Sequence, residues 1–409
     1  MKIFKILLVT AIAFGMMACN NEQDVPQVID GPEATISVKV FPSSNSPGLR
    51  SVGDLSGDSA TTSPGLAAES AIKSLEVWVF AGDVLDGYGS SVAATPTEVK
   101  DIAAHVGSRH IVVIANAHIG NVITSKTALL ARLENLPTDV ATKGLIMTAE
   151  PVAITLEKGK NYYGFTGTDV PGEHKYHEQT PLAITRVNAR VALVSVKLDY
   201  TNVPEYQRSV FDALKDVQVA MFNVPNETRL FGDALATNDD FQFGAKWVSP
   251  DVTYVGADDS ESTANTILWD EVVDANALPI VKTKAPFYYV NENTSTTAGQ
   301  EMFIVLRAKV YKGNDVVLNL EDLYTDAEGY TYYPVWVNVD KSGYSYAEGY
   351  VADGKVLRNT QYNISLTIKG LGRPTIDEVD EAWLDVKVEV APWAVVNQNV
   401  TWGTPPVTP

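Results

Sequence analysis

The sequence contains a single cysteine, Cys19, so no disulfide can form within the chain. With 409 residues, the protein can instead be stabilised by burying apolar side chains in a large core. Hydrophobic residues make up 45% of the chain and charged residues 20%, a composition typical of folded rather than disordered proteins. The length is enough for two or three domains.

Positive charge is scarce, since 31 lysine and arginine residues stand against 50 acidic residues, giving a formal net charge of -19. Nucleic acids and anionic membranes bind basic surfaces, so this balance argues against both partners. Of the five histidines, His174 and His177 have ligand-like spacing, but no cysteine or HExxH motif accompanies them. The sequence therefore predicts no metal, no cofactor and no nucleic-acid partner.

Recognisable catalytic motifs are absent too. Ser345 lies in a sequence close to a nucleophile elbow, but without the strand–turn–helix context which that motif needs. Acidic residues are too numerous for any catalytic pair to be singled out. We predict that the protein is not an enzyme. The aromatic residues between positions 330 and 350 could form a glycan-binding platform, although packing on a sheet is the simpler interpretation.

An apolar run over residues 6–18 follows Lys2 and Lys5 at the N terminus. It is too short for a membrane span and has the form of a signal peptide, assigned to residues 1–18. Its end, Met-Met-Ala-Cys, resembles a bacterial lipobox, in which a small residue precedes the cysteine that is acylated. We predict that Cys19 carries the lipid; an ordinary signal peptide is the alternative.

The first strand expected in the folded region covers residues 34–41, where apolar and polar residues alternate. Its inward-facing apolar residues are predicted to be Ile36, Val38 and Val40. A loop rich in proline, serine and glycine follows, and Arg50 lies at its end, in the kind of segment where proteases cut. We predict that cleavage between Arg50 and Ser51 removes this strand and that a strand from another copy replaces it.

The rest of the chain reads as short strands separated by glycine and proline turns. Strands are predicted at residues 75–80, 109–116, 145–157, 162–166, 184–198, 217–222, 286–290, 302–311, 330–339 and 361–369. One helix is predicted over residues 125–136, whereas residues 92–101 and 168–181 read as loops. The pattern predicts an all-β fold with one or few short helices, arranged as two β-sandwich domains that divide after residue 181.

A long amphipathic strand is predicted near the C terminus, over residues 382–402, with a break at Pro392. Such a strand either closes its own sheet or pairs with an exposed edge elsewhere. Its apolar residues are Leu384, Val386, Val388, Val390, Val395, Val400 and Trp402.

Several segments together resemble the FimA-type major fimbrillin of Bacteroidales type V pili. They are the lipobox at Cys19, the strand and loop over residues 34–50, and the segments 144–151, 159–164, 184–190, 332–338, 358–370 and 393–402. The resemblance extends from the signal peptide to the C terminus and is weakest between residues 232 and 282.

The resemblance implies two transthyretin-like Greek-key β-sandwich domains and export as a lipoprotein anchored to the outer membrane. It further implies that an arginine-specific surface protease removes the first strand and that subunits polymerise into an extracellular fimbrium by strand exchange. On this chain the propeptide would be residues 19–50, the domains residues 51–181 and 182–409, and the donor the C-terminal strand of residues 382–402. The expected partners are other copies of the chain, accessory fimbrial subunits and the protease; surface ligands are left open.

Two other interpretations stay open. A tip or anchor subunit would differ at the termini, because a tip has no reason to keep a donor strand and an anchor would keep its lipid. A monomeric glycan-binding surface lipoprotein would not be cut at Arg50.

Overall fold

The computed structural model of the chain describes residues 31–42, 69–170, 174–201, 205–235, 240–247, 264–271, 286–318, 320, 323–376 and 384–392. Within these residues the chain forms mostly β-strands, with three short α-helices and one 3-10 helix. The expected all-β fold is confirmed. In the same part of the chain, no helix is both long and apolar enough to cross a membrane.

The first half of the chain contains ten described strands and two short helices. The strands are β1 (Glu33–Pro42), β2 (Leu75–Ala81), β3 (Val84–Ser91), β4 (Glu98–His105), β5 (Gly107–Ala115), β6 (Leu133–Asn135), β7 (Met147–Leu156), β8 (Gly159–Tyr163), β9 (Lys175–Glu178) and β10 (Leu182–Arg186). The helices are α1 (Lys126–Leu130) and α2 (Val140–Lys143).

The second half is built almost entirely of strands. They are β11 (Asn188–Leu198), β12 (Ala213–Phe222), β13 (Val224–Pro225), β14 (Glu227–Arg229), β15 (Phe241–Gln242), β16 (Trp269–Glu271), β17 (Phe287–Asn291), β18 (Phe303–Lys312), β19 (Asp315–Val316), β20 (Tyr330–Trp336), β21 (Tyr344–Ser345), β22 (Thr360–Ile368) and β23 (Leu384–Pro392). Helix α3 (Glu205–Val210) precedes β12, and the 3-10 helix Thr266–Leu268 precedes β16.

Nine of the first ten strands form one sheet in the order β3-β2-β5-β7-β10-β1-β8-β9, and β4 pairs with β1 off this path. Most neighbours are antiparallel, but β1 runs parallel to both β8 and β10. Apolar side chains from β1, β2, β4, β5, β7 and β10 form one core. Side chains at alternate positions of a strand share a face, so the alternating sequence of β1 directs its apolar residues into this core.

The second half folds into two five-stranded sheets. One has the order β17-β11-β22-β23-β21, and the other has the order β16-β12-β18-β19 with β20 paired to β18. Side chains from both sheets form one continuous apolar core, which is the arrangement of a β-sandwich.

The two halves meet at a junction with three components. Strand β6 of the first half pairs with β14 of the second. Leu230 and Phe231, just after β14, are buried in an apolar cluster with side chains of β2 and β5. Glu69 is fully buried; its carboxylate lies 3.5 Å from Nε of Arg190 and accepts a hydrogen bond of 3.0 Å from the hydroxyl of Tyr289.

The helix predicted over residues 125–136 is much shorter than expected, although Ser125 caps it as predicted. Helix α1 ends at Leu130, and β6 begins at Leu133. The leucines do not share one face, because Leu129 packs in the junction cluster whereas Leu136 belongs to the core of the second half.

The prediction of a loop over residues 92–101 is wrong at its C-terminal end, where β4 begins at Glu98. Val99, Ile102 and Ala104 are the buried apolar residues of β4, and their spacing is irregular because a β-bulge lies between the first two. A bulge adds a residue to one strand and so interrupts the alternation by which strands are recognised.

The single strand predicted over residues 184–198 is in fact two strands that belong to different sheets. Strand β10 pairs with β1 and β7, whereas β11 pairs with β17 and β22, and the change occurs at the buried residue Val187. Pairing of the first sheet therefore continues to Arg186, beyond the predicted domain boundary at residue 181.

Candidate functional site

Strand β1 is hydrogen-bonded along both edges. On one side, Glu33 to Lys39 run antiparallel to β4; on the other, Ala34 to Val38 run parallel to β8. The last residues, Val40 to Pro42, pair in parallel with β10. Strand β1 thus connects β4, β8 and β9 to the other strands of the nine-stranded sheet. We call the space that β1 occupies between β4, β8 and β10 the β1 slot.

The predicted apolar residues of β1 all face the core. Ile36 and Val38 have an exposed fraction of 0%, and Val40 of 2%. Ala34 is buried beside them, whereas Phe41, the next residue, is 39% exposed. The buried side of the strand ends at Val40, and β1 itself ends at Pro42.

A polar contact is buried in the middle of the slot. Ser37 is only 1% exposed, and its hydroxyl oxygen accepts a hydrogen bond of 3.0 Å from the backbone N–H of Asp101. Asp101 has a φ of 52° and lies at the bulge of β4. The bulge turns this N–H away from the regular ladder, and Ser37 provides its acceptor. Sequence reasoning placed Ser37 on the outer face, because the bulge could not be foreseen.

On the β8 side of the slot, Asn161 makes a second buried polar contact with β1. Its side-chain amide donates to the backbone oxygens of Thr35 at 3.2 Å and Glu157 at 2.8 Å, and its oxygen accepts from the N–H of Glu157 at 3.0 Å. Asn161 therefore holds the turn between β7 and β8 in place and contacts β1 through one backbone atom.

Two ion pairs lie on the outer surface over the slot. Lys160 of β8 and Asp101 of β4 approach to 3.6 Å across β1, and both side chains are more than half exposed. Lys39 of β1 lies 3.6 Å from Asp169 and above the ring of Phe165. Exposed pairs of this kind contribute about 0–1 kcal/mol, so they do not hold β1 in place by themselves.

A cavity of about 460 Å³ opens at the N-terminal end of the slot, lined by Glu33, Thr35, His105 and Lys160 among others. At its base the fully covered carboxylate of Asp86 accepts hydrogen bonds from the ring and the backbone N–H of His105, at 2.6 and 2.9 Å, and from Nε of Arg109. Burial alone would raise the pKa of Asp86, but these bonds lower it below its ordinary value.

The first part of the predicted donor strand, β23, has a place in its own sheet. Leu384, Val386, Val388 and Val390 are buried in the core of their own half, and β23 pairs with β22 over its whole length. These side chains already close their own sheet, so they could enter a slot elsewhere only by uncovering that core. The apolar residues after Pro392, namely Val395, Val400 and Trp402, lie outside the described residues, as do Cys19, Arg50 and Ser51.

The histidines, Ser345 and the tyrosines considered as possible chemical sites take part in ordinary structural contacts. The Nε2 atom of His177 lies 3.0 Å from the side-chain oxygen of Asn161, and the hydroxyl of Ser345 donates to the backbone oxygen of Val386 at 3.3 Å. Among the described residues, no cluster of three or more histidine, cysteine or acidic side chains could hold a metal. Tyr332 and Tyr333 are both buried: Tyr333 lies in the sandwich core, and Tyr332 packs in a separate apolar cluster with Phe222 and Trp247.

Two family models match the chain and divide where the sheets divide. The model described as "Major fimbrial subunit protein (FimA)" matches residues 34–186, and the model described as "FimA4 pilin C-terminal domain" matches residues 188–393. The chain is also similar to "Major fimbrium subunit FimA type-2" of Porphyromonas gingivalis, at 31% identity over 98% of this chain and 100% of the relative. The type-3 subunit of the same organism is 30% identical with the same coverage.

Solved structures agree with these matches. A crystal structure of a fimbrilin (FimA) from Porphyromonas gingivalis W83 has a TM-score of 0.69 and 26% identity, covering 89% of this chain and 99% of the other. A putative cell adhesion protein from Parabacteroides distasonis shares the fold, with a TM-score of 0.62, 17% identity and coverage of 90% and 100%. The matched segments and the near-complete alignment to these relatives show that the chain belongs to the FimA family of major fimbrial subunits.

Proposed function

We propose that this fimbrial subunit is exported as a lipoprotein acylated at Cys19 and is then cut between Arg50 and Ser51 by an arginine-specific surface protease. Cleavage frees β1, and the C-terminal segment of a second copy takes over the β1 slot. The observation that carries the proposal is the position of β1: it lies between three strands of a sheet, yet the loop with Arg50 follows it directly.

Loss of β1 leaves a slot that must be filled again. Ile36, Val38 and Val40 are each buried, and a fully buried side chain of this size contributes about 1.5–3 kcal/mol. The backbone groups of β4 and β8 that face β1 lose their partners as well, and unpaired buried backbone groups are strongly unfavourable. A second strand with alternating apolar residues would restore both kinds of contact.

The geometry of this exchange favours a filament over a closed dimer. The slot lies in the first sheet, whereas the C-terminal strand β23 belongs to a sheet of the second half. Donor and acceptor are therefore different surfaces, and a contact between different surfaces repeats without closing unless the rotation happens to form a ring. The partners in this proposal are other copies of the chain, accessory fimbrial subunits and the maturing protease. Its place is an extracellular fimbrium, reached from a precursor held at the outer membrane by lipid.

The donor segment in this proposal is the part of the C terminus that follows Pro392. Strand β23 is hydrogen-bonded to β22 from Leu384 to Pro392, and its removal would open the second core while filling the first. Residues 393–402 carry the apolar residues Val395, Val400 and Trp402, and their use as a donor would leave β23 in its sheet.

The proposal is tested first by the N-terminal sequence and intact mass of subunits sheared from cells. The same sample is run without boiling on a denaturing gel. We expect a start at Ser51 and a ladder of SDS-resistant species. A start at acylated Cys19 with a single band would contradict cleavage and would favour an anchor subunit or a monomeric lipoprotein.

Substitution of the cleavage site gives a second test. The variant R50A should reach the surface as a lipid-bearing monomer that does not polymerise, because β1 stays in its slot. R50K keeps the charge and should behave in the same way if the protease is arginine-specific. R208A, which removes an exposed arginine of α3, is the matched control and should polymerise normally. Filaments of normal length from R50A would contradict the model.

A further inference from the structure

Cleavage between Arg50 and Ser51 would free β1 from the chain but not from the sheet. Strand β1 ends at Pro42, so the residues that hold it in the sheet all precede the cut. Its backbone contacts begin at Pro32, whose oxygen accepts a hydrogen bond of 3.0 Å from the N–H of Val106, and they continue to Pro42, which pairs with β10. Breaking the bond between Arg50 and Ser51 therefore removes none of these contacts.

The side chains of β1 make contacts that survive the cut as well. Ala34, Ile36, Val38 and Val40 belong to the core of the first half, and none of them is more than 3% exposed. Ser37 accepts its buried hydrogen bond from β4 on the same stretch of chain. Departure of β1 would expose this apolar surface to water and would unpair the backbone along both of its edges, so the cut strand is held in place.

The strand topology makes an empty slot especially unfavourable. Among the described strands, β4 pairs only with β1, and β8 pairs only with β1 and β9. Without β1, the strands β4, β8 and β9 would have no ladder to the rest of the sheet. A strand that enters while β1 leaves avoids this state. Displacement of β1 is therefore favoured over its release followed by binding of a donor.

The propeptide, residues 19–50, contains both β1 and the proposed lipid site Cys19. While β1 stays in its slot, the cut subunit is thus held at the membrane through a noncovalent contact. We infer that cleavage does not release the subunit: residues 51–409 stay bound to the lipid-bearing propeptide until an incoming strand displaces β1. This inference rests on the proposed lipidation and strand exchange, and it assigns release from the membrane to the exchange step.

The test uses the lipidated precursor truncated after Pro392, which keeps every described residue and lacks the proposed donor. The protein is placed in phosphatidylcholine vesicles and cut to completion at Arg50 with an arginine-specific protease, and the vesicles are floated away from soluble protein. We expect residues 51–392 to float with the vesicles after the cut, as they do before it. Their appearance in the soluble fraction on cutting would overturn the inference.

Two controls show that the propeptide is what holds the subunit. The same chain beginning at Asn20 carries no lipid and should stay soluble, because the subunit itself does not adhere to the vesicles. A peptide of residues 393–409 should release residues 51–392 from the vesicles, whereas a peptide with these residues in scrambled order should not. Retention in the presence of the 393–409 peptide would contradict displacement by this segment.

Val38 and Val92 form a matched pair for mutation, since Val38 is 0% exposed in β1 and Val92 is 74% exposed just after β3. V38A removes two buried methyl groups and should speed release of the cut subunit about tenfold. V92A should release no faster than the wild type. Both precursors are melted before cutting to verify that they fold. Equal release from V38A and V92A would show that β1 does not hold the subunit and would overturn the inference.

The full-length protein separates this inference from the proposal on which it rests. If cleaved full-length subunits form no SDS-resistant ladder, strand exchange itself is overturned. If they form a ladder but the truncated subunit leaves the vesicles on cutting, exchange stands and retention by β1 is overturned.

Discussion

The carboxylate of Asp86 links three strands beside the β1 slot, since it lies on β3 and binds His105 of β4 and Arg109 of β5. Its side chain has an exposed fraction of 0%, so the charge is stable only because these donors surround it. The lowered pKa of Asp86 means that the folded protein prefers the ionised form more strongly than the unfolded chain does.

Substitution D86N should lower stability near neutral pH by about 3–5 kcal/mol, because it leaves the buried guanidinium of Arg109 without its counter-charge. The contribution of the carboxylate is complete above its ordinary pKa of 3.8 and is lost as the pH falls through the lower folded-state value. The difference in melting temperature between wild type and D86N should therefore be largest near pH 7 and shrink below pH 3.8. Thermal melting of the precursor from pH 2 to 7 measures it.

The control for this prediction is D315N, which removes an exposed carboxylate at the start of β19. It should change the melting temperature little at any pH. A difference between wild type and D86N that stays constant across the acid range would show that ionisation of Asp86 does not stabilise the fold.

At the scale of elements, the C-terminal region divides at Pro392. Strand β23, before this residue, belongs to a sheet of the second half, and the segment after it is the proposed donor. Strand β23 fills the space beside β22 and buries four apolar side chains there. A truncation that removes β23 affects both stability and assembly. A truncation that keeps β23 and removes only the residues after Pro392 tests assembly alone.

Truncation after Pro392 should leave the melting temperature of the precursor unchanged and abolish polymerisation, because it removes the proposed donor and spares β23. Truncation after residue 381 should also open the core of the second half and lower the melting temperature substantially, because each fully buried side chain lost contributes about 1.5–3 kcal/mol. Calorimetry of the precursor and unboiled gels of the cleaved protein measure these effects. If the protein truncated after Pro392 still formed polymers, the donor would lie elsewhere in the chain.

The strands of this fold could be predicted from sequence wherever alternation is regular. The inward face of β1, with Ile36, Val38 and Val40, is confirmed, and so are most strands of the second half. Strand β4 was missed because its bulge at Asp101 depends on pairing with β1, which is a contact between distant parts of the chain. The roles of Ser37 and Asn161 in the slot follow from that same contact, so no local pattern could indicate them.

At the scale of the whole molecule, the junction combines β-pairing, apolar packing and a buried ion pair. Glu69 is the first described residue after Pro42, and its carboxylate reaches Arg190 near the start of the second half. Arg186 is fully buried as well and donates to the backbone oxygen of Glu69 at 2.9 Å and to the side chain of Asn359 at 3.1 Å. From Glu69 onward, the chain is thus fixed between the two halves.

Substitution E69Q should destabilise the junction by about 3–5 kcal/mol, because Arg190 stays buried without the carboxylate. Its stacking on Phe287, at 4.6 Å, compensates only in part. We expect calorimetry to resolve two transitions in the variant where the wild type shows one. The matched control is E134Q, which breaks the more exposed pair of Arg132 and Glu134 on β6. A single unshifted transition in E69Q would show that this ion pair does not couple the halves.

The pairing of β1 along both edges has a mechanical consequence for the filament. In the proposed filament, tension would pull each inserted strand along its own axis, and a strand that takes the direction of β1 would run parallel to β8 and β10. Such a load is a shear load, in which the hydrogen bonds of both ladders bear the force together, whereas peeling a strand from one end breaks them one at a time. Forced separation depends on a rate rather than on an equilibrium. A joint of this kind would give the fimbria a high resistance to drag without any covalent bond between its subunits.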